Sequence, residues 1–504
     1  MKRQSGVLMP VFSLPSEYGI GDFGYGAYKF IDYLKKAGQS VWQILPLVQT
    51  GYGNSPYSSV CSYSYNPYFI SPEMLLKKGL ATKEEIDFCK NDGKIADYGF
   101  LYSVRLPLLK KAYSRFDKND AEFTAFKKSG RFYNYALYMS LKYASGHKHF
   151  YEWDDRYKYR DKSALDAFAR DYFEEVDFWQ FVQFEAEREW FALKNYANKN
   201  GVSIFGDLPL YCALDSVDVW ENPSIFKLDD NFTPKKVAGV PPDYFCANGQ
   251  LWGNPVYDYD ALARDGYRWW AARIKSSLDK FDYIRIDHFR GLDRFYEVPF
   301  GAPDAKVGEW VKVPSDELFS AIHKSADKTR IIAEDLGIID DGVRELLKKL
   351  GYPGMKILLF AFNGEKDNLY LPENITENSV CYTGTHDNDT VMGYLAGASE
   401  WDRNNFKSGI KNSLAEFDLD IPSDSDTELA DAALELGFAC KANLFIVPMQ
   451  DVLRCGTEYR INEPGTVKMQ NWAVRFSAKD FDGDTAKRLR ALAVKYKRVA
   501  KSVK

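Results

Sequence analysis

FDYIRIDHFRG, residues 281–291, contains a short run, Tyr283-Ile284-Arg285-Ile286, apolar or aromatic but for Arg285, that stops on a carboxylate, Asp287. Two segments further down the chain repeat the arrangement. TRIIAEDLG (329–337) runs through Ile331, Ile332 and Ala333 to Glu334, and SVCYTGTHDND (379–389) leads to Asp387. Runs of this kind read as buried parallel strands. Acids at the C-terminal ends of successive buried strands occupy the place where a (β/α)8 barrel carries its reactive groups. Two acids with a third carboxylate nearby are also the set that cleaves a glycosidic bond.

Working outward, eight candidate strands lie at 41–46, 68–72, 202–208, 283–288, 330–335, 354–361, 379–384 and 444–449. Helical patterns such as 24–37 and 178–199 separate most of them. Strand–helix alternation predicts a parallel sheet, and eight strands predict closure. The expected fold is therefore α/β: a (β/α)8 TIM barrel with helical and loop insertions around its mouth, taking 1–504 as a single catalytic domain. About 130 residues separate the second and third candidate strands, too many for one crossover. The Lys-, Tyr- and Phe-rich helical stretches there predict an inserted helical subdomain at 75–175. A second helical segment is expected at 395–440, between strands seven and eight. Polar loops at 50–67, 238–255 and 455–472 carry aromatic residues and read as binding surface.

Composition narrows the function classes. The chain of 504 residues is 45% apolar, yet no stretch is long enough to span a membrane. The start, MKRQSGVLMPVFSLPSEYG, has only a short apolar run broken by Pro10 and reads as no signal peptide. Seven scattered cysteines without CxxC spacing suggest reduced thiols and a cytoplasmic location. A net charge of −5 of mixed sign gives no footprint for nucleic acid. Aromatic residues reach 16%, with 34 Tyr. A large core accounts for most of them, but flat rings with polar rims also suit the C–H faces of sugars. Gly19-Ile20-Gly21-Asp22-Phe23-Gly24 matches the GxGxxG of dinucleotide sites. It does not directly follow a strand, and VWQILPL ends without a ribose-binding acid, so turn glycines at a helix entrance are the better reading.

Strand alternation puts Arg285 and Asp287 on one side. A guanidinium beside Asp287 favours its ionised form, which suits a nucleophile; a purely structural ion pair is the competing reading. Glu334 follows an apolar run, which favours its protonated form and hence a general acid, against a simple salt bridge. Asp335 should face away and cap the loop or helix after the strand. His288 and His386 adjoin the acids, and alternation turns His288 outward. No HxH, HExxH or Cys/His cluster accompanies them, so hydrogen bonding to a polyol is favoured over metal ligation, and no metal or cofactor is expected.

Eight segments in order resemble one family along nearly the whole chain: GVLMPVFSLPSEYGIGDFG (6–24), WQILPL with GYGNSPYSS (42–59), GDLPLY (206–211), GVPPDYFCANGQLWGNPVY (239–257), RIDHFRG (285–291), AEDLG (333–337), GTHDN (384–388) and NEPGT…NW (462–472). Together they are similar to the amylomaltases, the 4-α-glucanotransferases of the α-amylase clan. The resemblance implies Asp287 as nucleophile, Glu334 as general acid/base and Asp387 as binder of the reacting sugar's hydroxyls. It further implies substrate contacts by Arg285, His386, Tyr57, Asp207 and Asn462, and an acceptor-side lid bearing Tyr244, Phe245 and Trp252. Donors would be maltooligosaccharides and α-1,4-glucans, and the acceptor a glucan or glucose. The chain departs from the family's usual pattern at Asn54, Leu359 and Ala473-Val474. A retaining α-glucan hydrolase with the same acids is the alternative, and a noncatalytic glucan-binding barrel a more distant one.

Overall fold

The computed structural model describes residues 2–51, 53–242, 247–337 and 339–499. Eight parallel strands form the central barrel: Gln4–Leu8, Val41–Gln43, Ser203–Leu208, Tyr283–Ile286, Ile331–Ala333, Gly354–Ile357, Ser379–Tyr382 and Leu444–Pro448. Each pairs with its neighbour in chain order except Ile331–Ala333 with Gly354–Ile357, and Leu444–Pro448 pairs back onto Gln4–Leu8. The ring closes between Ile331–Ala333 and Gly354–Ile357. There the Ala333 N–H donates to the Pro353 carbonyl at 2.9 Å and the Met355 N–H to Asp335 Oδ1 at 2.6 Å. Asp335 therefore staples the closing seam, where a cap on the next loop or helix was expected.

Seven of the eight expected strands are present, in shortened form. The eighth is corrected. Residues 68–72 contain no strand: Pro67–Phe69 is a 3-10 turn whose Tyr68 N–H is capped by the Asn66 side chain at 3.0 Å. The true first strand is Gln4–Leu8. Its central Gly6 is required by close packing, since a Cβ there would lie 2.2 Å from the Val41 carbonyl oxygen. A strand with glycine at its centre carries a weak sequence signal.

The glycines at 19–24 follow the 3-10 turn Val11–Ser13, not a strand. Gly24 caps helix Tyr25–Lys36, its N–H bonded to Asp22 Oδ1 at 2.8 Å, and a Cβ on Gly21 would lie 2.0 Å from the Val11 carbonyl oxygen. They are turn and close-approach glycines.

Between the second and third strands run helices Tyr98–Arg115, Ala121–Lys128 and Tyr133–Ala144, packed on the long helix Phe173–Lys199. Much of the aromatic excess is spent here. Phe116 meets Phe181 at 4.9 Å and Phe123 at 5.3 Å between ring centres, and Phe184 meets Phe123 at 5.3 Å and Phe126 at 5.5 Å. Asp215 ties this region to the barrel, accepting from Tyr138 Oη at 2.6 Å, His149 Nδ1 at 2.8 Å and the Phe150 N–H at 3.0 Å. Helices Glu400–Glu416 and Asp426–Ala439 fill the connection between the last two strands.

A second sheet was not foreseen. Gln250–Pro255, Lys236–Val240, Arg294–Pro299 and Glu309–Lys312 pair antiparallel in that order around a small core of Val237, Tyr296, Val298 and Ala305. Much of the expected loop 238–255 is thus sheet, and it brings Trp252 to the barrel mouth on a strand.

Candidate active site

The main-chain pairing runs on past the strand ends and sets the acids. The Asp287 N–H donates to the Leu208 carbonyl at 3.0 Å, and the Glu334 N–H to the Ile286 carbonyl at 3.0 Å. Asp207 and Arg285 are direct partners across the third and fourth strands. Arg285 Nη1 lies 2.9 Å from both Asp207 oxygens and 2.8 Å from Asp287 Oδ1, and its Nη2 lies 3.9 Å from Glu334 Oε2. One guanidinium thus joins three carboxylates from three successive strands.

Exposure sorts these groups. The Asp207 side chain is fully covered and that of Arg285 is 5% exposed, whereas Glu334 reaches 10%, Asp287 27% and Asp387 41%. Asp207 therefore acts through Arg285 and through Tyr57, whose hydroxyl donates to Asp207 Oδ2 at 2.7 Å. Glu334, Asp287 and Asp387 are the acids open to a ligand.

His288 is held at φ 47°, ψ 51°, in the left-handed region, where the chain leaves the strand. Its N–H donates to Glu334 Oε2 at 2.6 Å, and the Leu336 N–H to Glu334 Oε1 at 2.8 Å. The outward course expected from alternation does not apply once the backbone turns. The imidazole meets Trp252 edge-on, with ring centres 4.8 Å apart. Trp252 therefore sits beside the acids, while Tyr244 and Phe245 lie outside the described residues.

On the other side, Asp387 accepts from Asn462 Nδ2 at 2.7 Å and lies 3.4 Å from His386 Nε2. Tyr57 stacks on His386 with centres 5.3 Å apart and planes 10° apart. Sequence reasoning assigned no role to two neighbours. Arg460 donates to the Asp387 carbonyl at 2.7 Å and to the Asn462 carbonyl at 2.8 Å, and Trp472 approaches both Tyr57 and His386. Arg460 has no sequence signal. Trp472 ends the 455–472 loop that was expected to be binding surface, but no role was read for the residue itself.

Burial is the largest influence on the charges. It drives the Asp287 carboxyl up to about 8, with Arg285 pulling down and Asp207, Glu334 and Asp387 pushing further up. Glu334 is raised too, by burial first, against Arg285 and the N–H groups of Leu336 and His288. Arg285 alone does not hold Asp287 in the ordinary carboxylate range, because burial outweighs it and it is shared with Asp207. Interacting acids titrate as a pair, and this pair retains a proton near neutrality. Burial lowers the pKa of His386, which meets Asp387 as a neutral ring. Among the described residues no three His, Cys, Asp or Glu side chains converge as metal ligands.

Known proteins resemble the chain along nearly its whole length. The chain is 41% identical over 498 residues to a 4-alpha-glucanotransferase of Clostridium butyricum, covering 97% of this chain and 100% of that one. It is 39% identical to one of Thermus thermophilus, covering 98% of each. Among solved structures, an amylomaltase from Streptococcus agalactiae in complex with acarbose superposes with a TM-score of 0.93 at 34% identity, covering 99% of this chain and all of that one. The sequence profile of the 4-alpha-glucanotransferases matches residues 9–480, and the chain belongs to that family.

Proposed function

We propose that the site transfers a segment of an α-1,4-glucan to the 4-hydroxyl of a second glucan or of glucose, by retaining double displacement on Asp287, with Glu334 as the proton carrier. The observation that carries this assignment is the single guanidinium of Arg285 among Asp207, Asp287 and Glu334. Of the two acids that share the proton, Asp287 is nearer the cation, so the favoured arrangement leaves Asp287 ionised and Glu334 protonated. Asp287 attacks the anomeric carbon while Glu334 gives its proton to the departing 4-oxygen, leaving a glucosyl ester on Asp287. The incoming 4-hydroxyl then loses its proton to Glu334 as its oxygen displaces Asp287, which restores both acids. Asp387, held by Asn462, accepts from the reacting sugar's hydroxyls, and Tyr57 offers its ring to the same sugar. Trp252, with Tyr244 and Phe245, would cover the acceptor and keep water off the ester.

One catalytic unit over 1–504, with helical insertions at 75–175 and 395–440, fits the chain running continuously around one barrel. A cytoplasmic site fits the six described cysteines, all free thiols, and the lack among described residues of any helix long and apolar enough to cross a membrane. The test is incubation with maltotriose without added metal. Glucose and a ladder of longer glucans should appear together. A steady rise of reducing ends with no product longer than the donor would make the protein a hydrolase.

A further inference from the structure

Trp472 has a backbone that a bulky residue rarely adopts. Its φ is +63°, in the left-handed region, where a large side chain is strained and persists only if its surroundings enforce it. Two hydrogen bonds do so. The Trp472 N–H donates to the Ile461 carbonyl at 2.8 Å, closing the loop 462–471, and the Trp472 carbonyl accepts from Tyr98 Oη at 2.7 Å. Inside that loop, Asn471 bonds to the Thr466 carbonyl at 3.0 Å and accepts from the Glu463 N–H at 3.2 Å, so the loop is internally braced.

Both ends of the closed loop reach the sugar-binding groups. At one end Asn462 holds Asp387 at 2.7 Å. At the other, the indole lies 5.7 Å from the Tyr57 ring and 5.8 Å from His386, backing their stack. The brace comes from outside the barrel. Tyr98 begins helix Tyr98–Arg115 of the inserted region, and the chain before it is laced to the segment after Trp472. The Ala96 N–H donates to the Ala473 carbonyl at 2.7 Å, the Arg475 N–H to the Lys94 carbonyl at 3.1 Å, and Arg475 Nη1 to the Gly93 carbonyl at 2.6 Å.

We infer that Trp472, held by Tyr98, is a positioning residue for glucosyl transfer: it sets the ring of Tyr57 and, through the loop it closes, the carboxylate of Asp387. The inserted helical region thereby fixes the geometry of the site that receives the reacting sugar. The inference rests on the donor-site reading above, in which Tyr57 and Asp387 grip that sugar. The strain at Trp472 places the indole behind Tyr57, where a relaxed backbone would swing it away. The competing account is that Trp472 merely fills space.

The experiment uses the full chain and two donors. Maltotriose spans several sugar positions, whereas α-glucosyl fluoride fills only the position held by Tyr57 and Asp387. Tyr98→Phe removes one hydroxyl and keeps the ring. It should lower kcat on maltotriose and the loading rate from α-glucosyl fluoride by the same factor, about 3- to 10-fold, with KM for maltotriose and Tm little changed. Trp472→Ala should lower both rates on the order of 100-fold, the scale of a misplacement near 1 Å. If Trp472→Ala fails to fold, Tyr98→Phe carries the test alone. Unchanged rates with a lowered Tm would overturn the inference in favour of space filling. A loss on maltotriose with none on the fluoride would also overturn it, placing Trp472 at a remote sugar. Wild-type protein that leaves maltotriose undisproportionated would instead sink the functional reading, so the two failures are distinguishable.

Discussion

The carboxylate cluster and the strand that carries Trp252 face each other across His288, yet they are built differently. Asp207, Arg285, Asp287 and Glu334 stand on strand ends of the barrel, and main-chain pairing on both sides fixes their origins to within a hydrogen bond. Trp252 stands on an outer strand of a separate four-stranded sheet with a core of four buried residues. Rigid elements position reacting groups, while weakly packed ones are free to yield to a second substrate. On the proposed roles, bond cleavage and acceptor choice fall to separate structural units, so they should respond separately to substitution.

The largest effect belongs to the cluster. Asp287→Asn should reduce transfer on the order of 10⁴-fold or more, as loss of a nucleophile does. Glu334→Gln should cost about 10²–10⁴-fold on maltotriose, the worth of proton transfer. Initial rates on purified, folded variants check both, and full activity in either would break the comparison at its stronger side.

Arg285→Met comes next. The cation lowers the carboxyls of both Asp287 and Glu334, so its removal moves both upward. The acid limb of the kcat/KM profile, which reports ionisation of the nucleophile, should shift to higher pH, with activity lost most at low pH. A profile scaled down without a shift would show that Arg285 contributes only packing.

Trp252→Ala, alone or with Tyr244→Ala and Phe245→Ala, should spare cleavage and raise the ratio of hydrolysis to transfer about five- to tenfold, the equivalent of about 1 kcal/mol of ring contact. Product counting on maltotriose checks it. An unchanged ratio with a large fall in Tm would mean that these rings only pack.

The smallest effect is on stability. The coupled carboxyls of Asp287 and Glu334 keep a shared proton in the folded chain up to about 8, whereas each titrates at about 4 when unfolded. Between those values the native state binds more protons, so stability falls as pH rises through the window. Asp287→Asn removes that cost. Its Tm should exceed wild type at pH 8 by a few degrees and approach it at pH 4. A variant less stable at pH 8 would show that the site is not strained by its own charge.

The positions of the clustered acids were legible in the sequence because a barrel turns a local signal, an apolar run ending in an acid, into a position in space. Gln4–Leu8 escaped because Gly6 and Ser5 serve its close packing and carry no strand character. YFISP misled because its aromatic and β-branched residues are held in a turn by Asn66 and two prolines. The antiparallel sheet was read as loop because glycine and proline punctuate 238–255. The roles of Arg460 and Trp472 depend on main-chain geometry between segments far apart in sequence, which no local pattern records.

The central claim, that Asp287 takes the sugar while Glu334 only moves protons, is tested most directly by trapping. A donor with a good leaving group needs no protonation, so Glu334→Gln exposed to α-glucosyl fluoride should accumulate protein heavier by one glucosyl unit. Peptide mass spectrometry should place the label on Asp287. A label on any other residue, or none while the same donor is still turned over, contradicts the account.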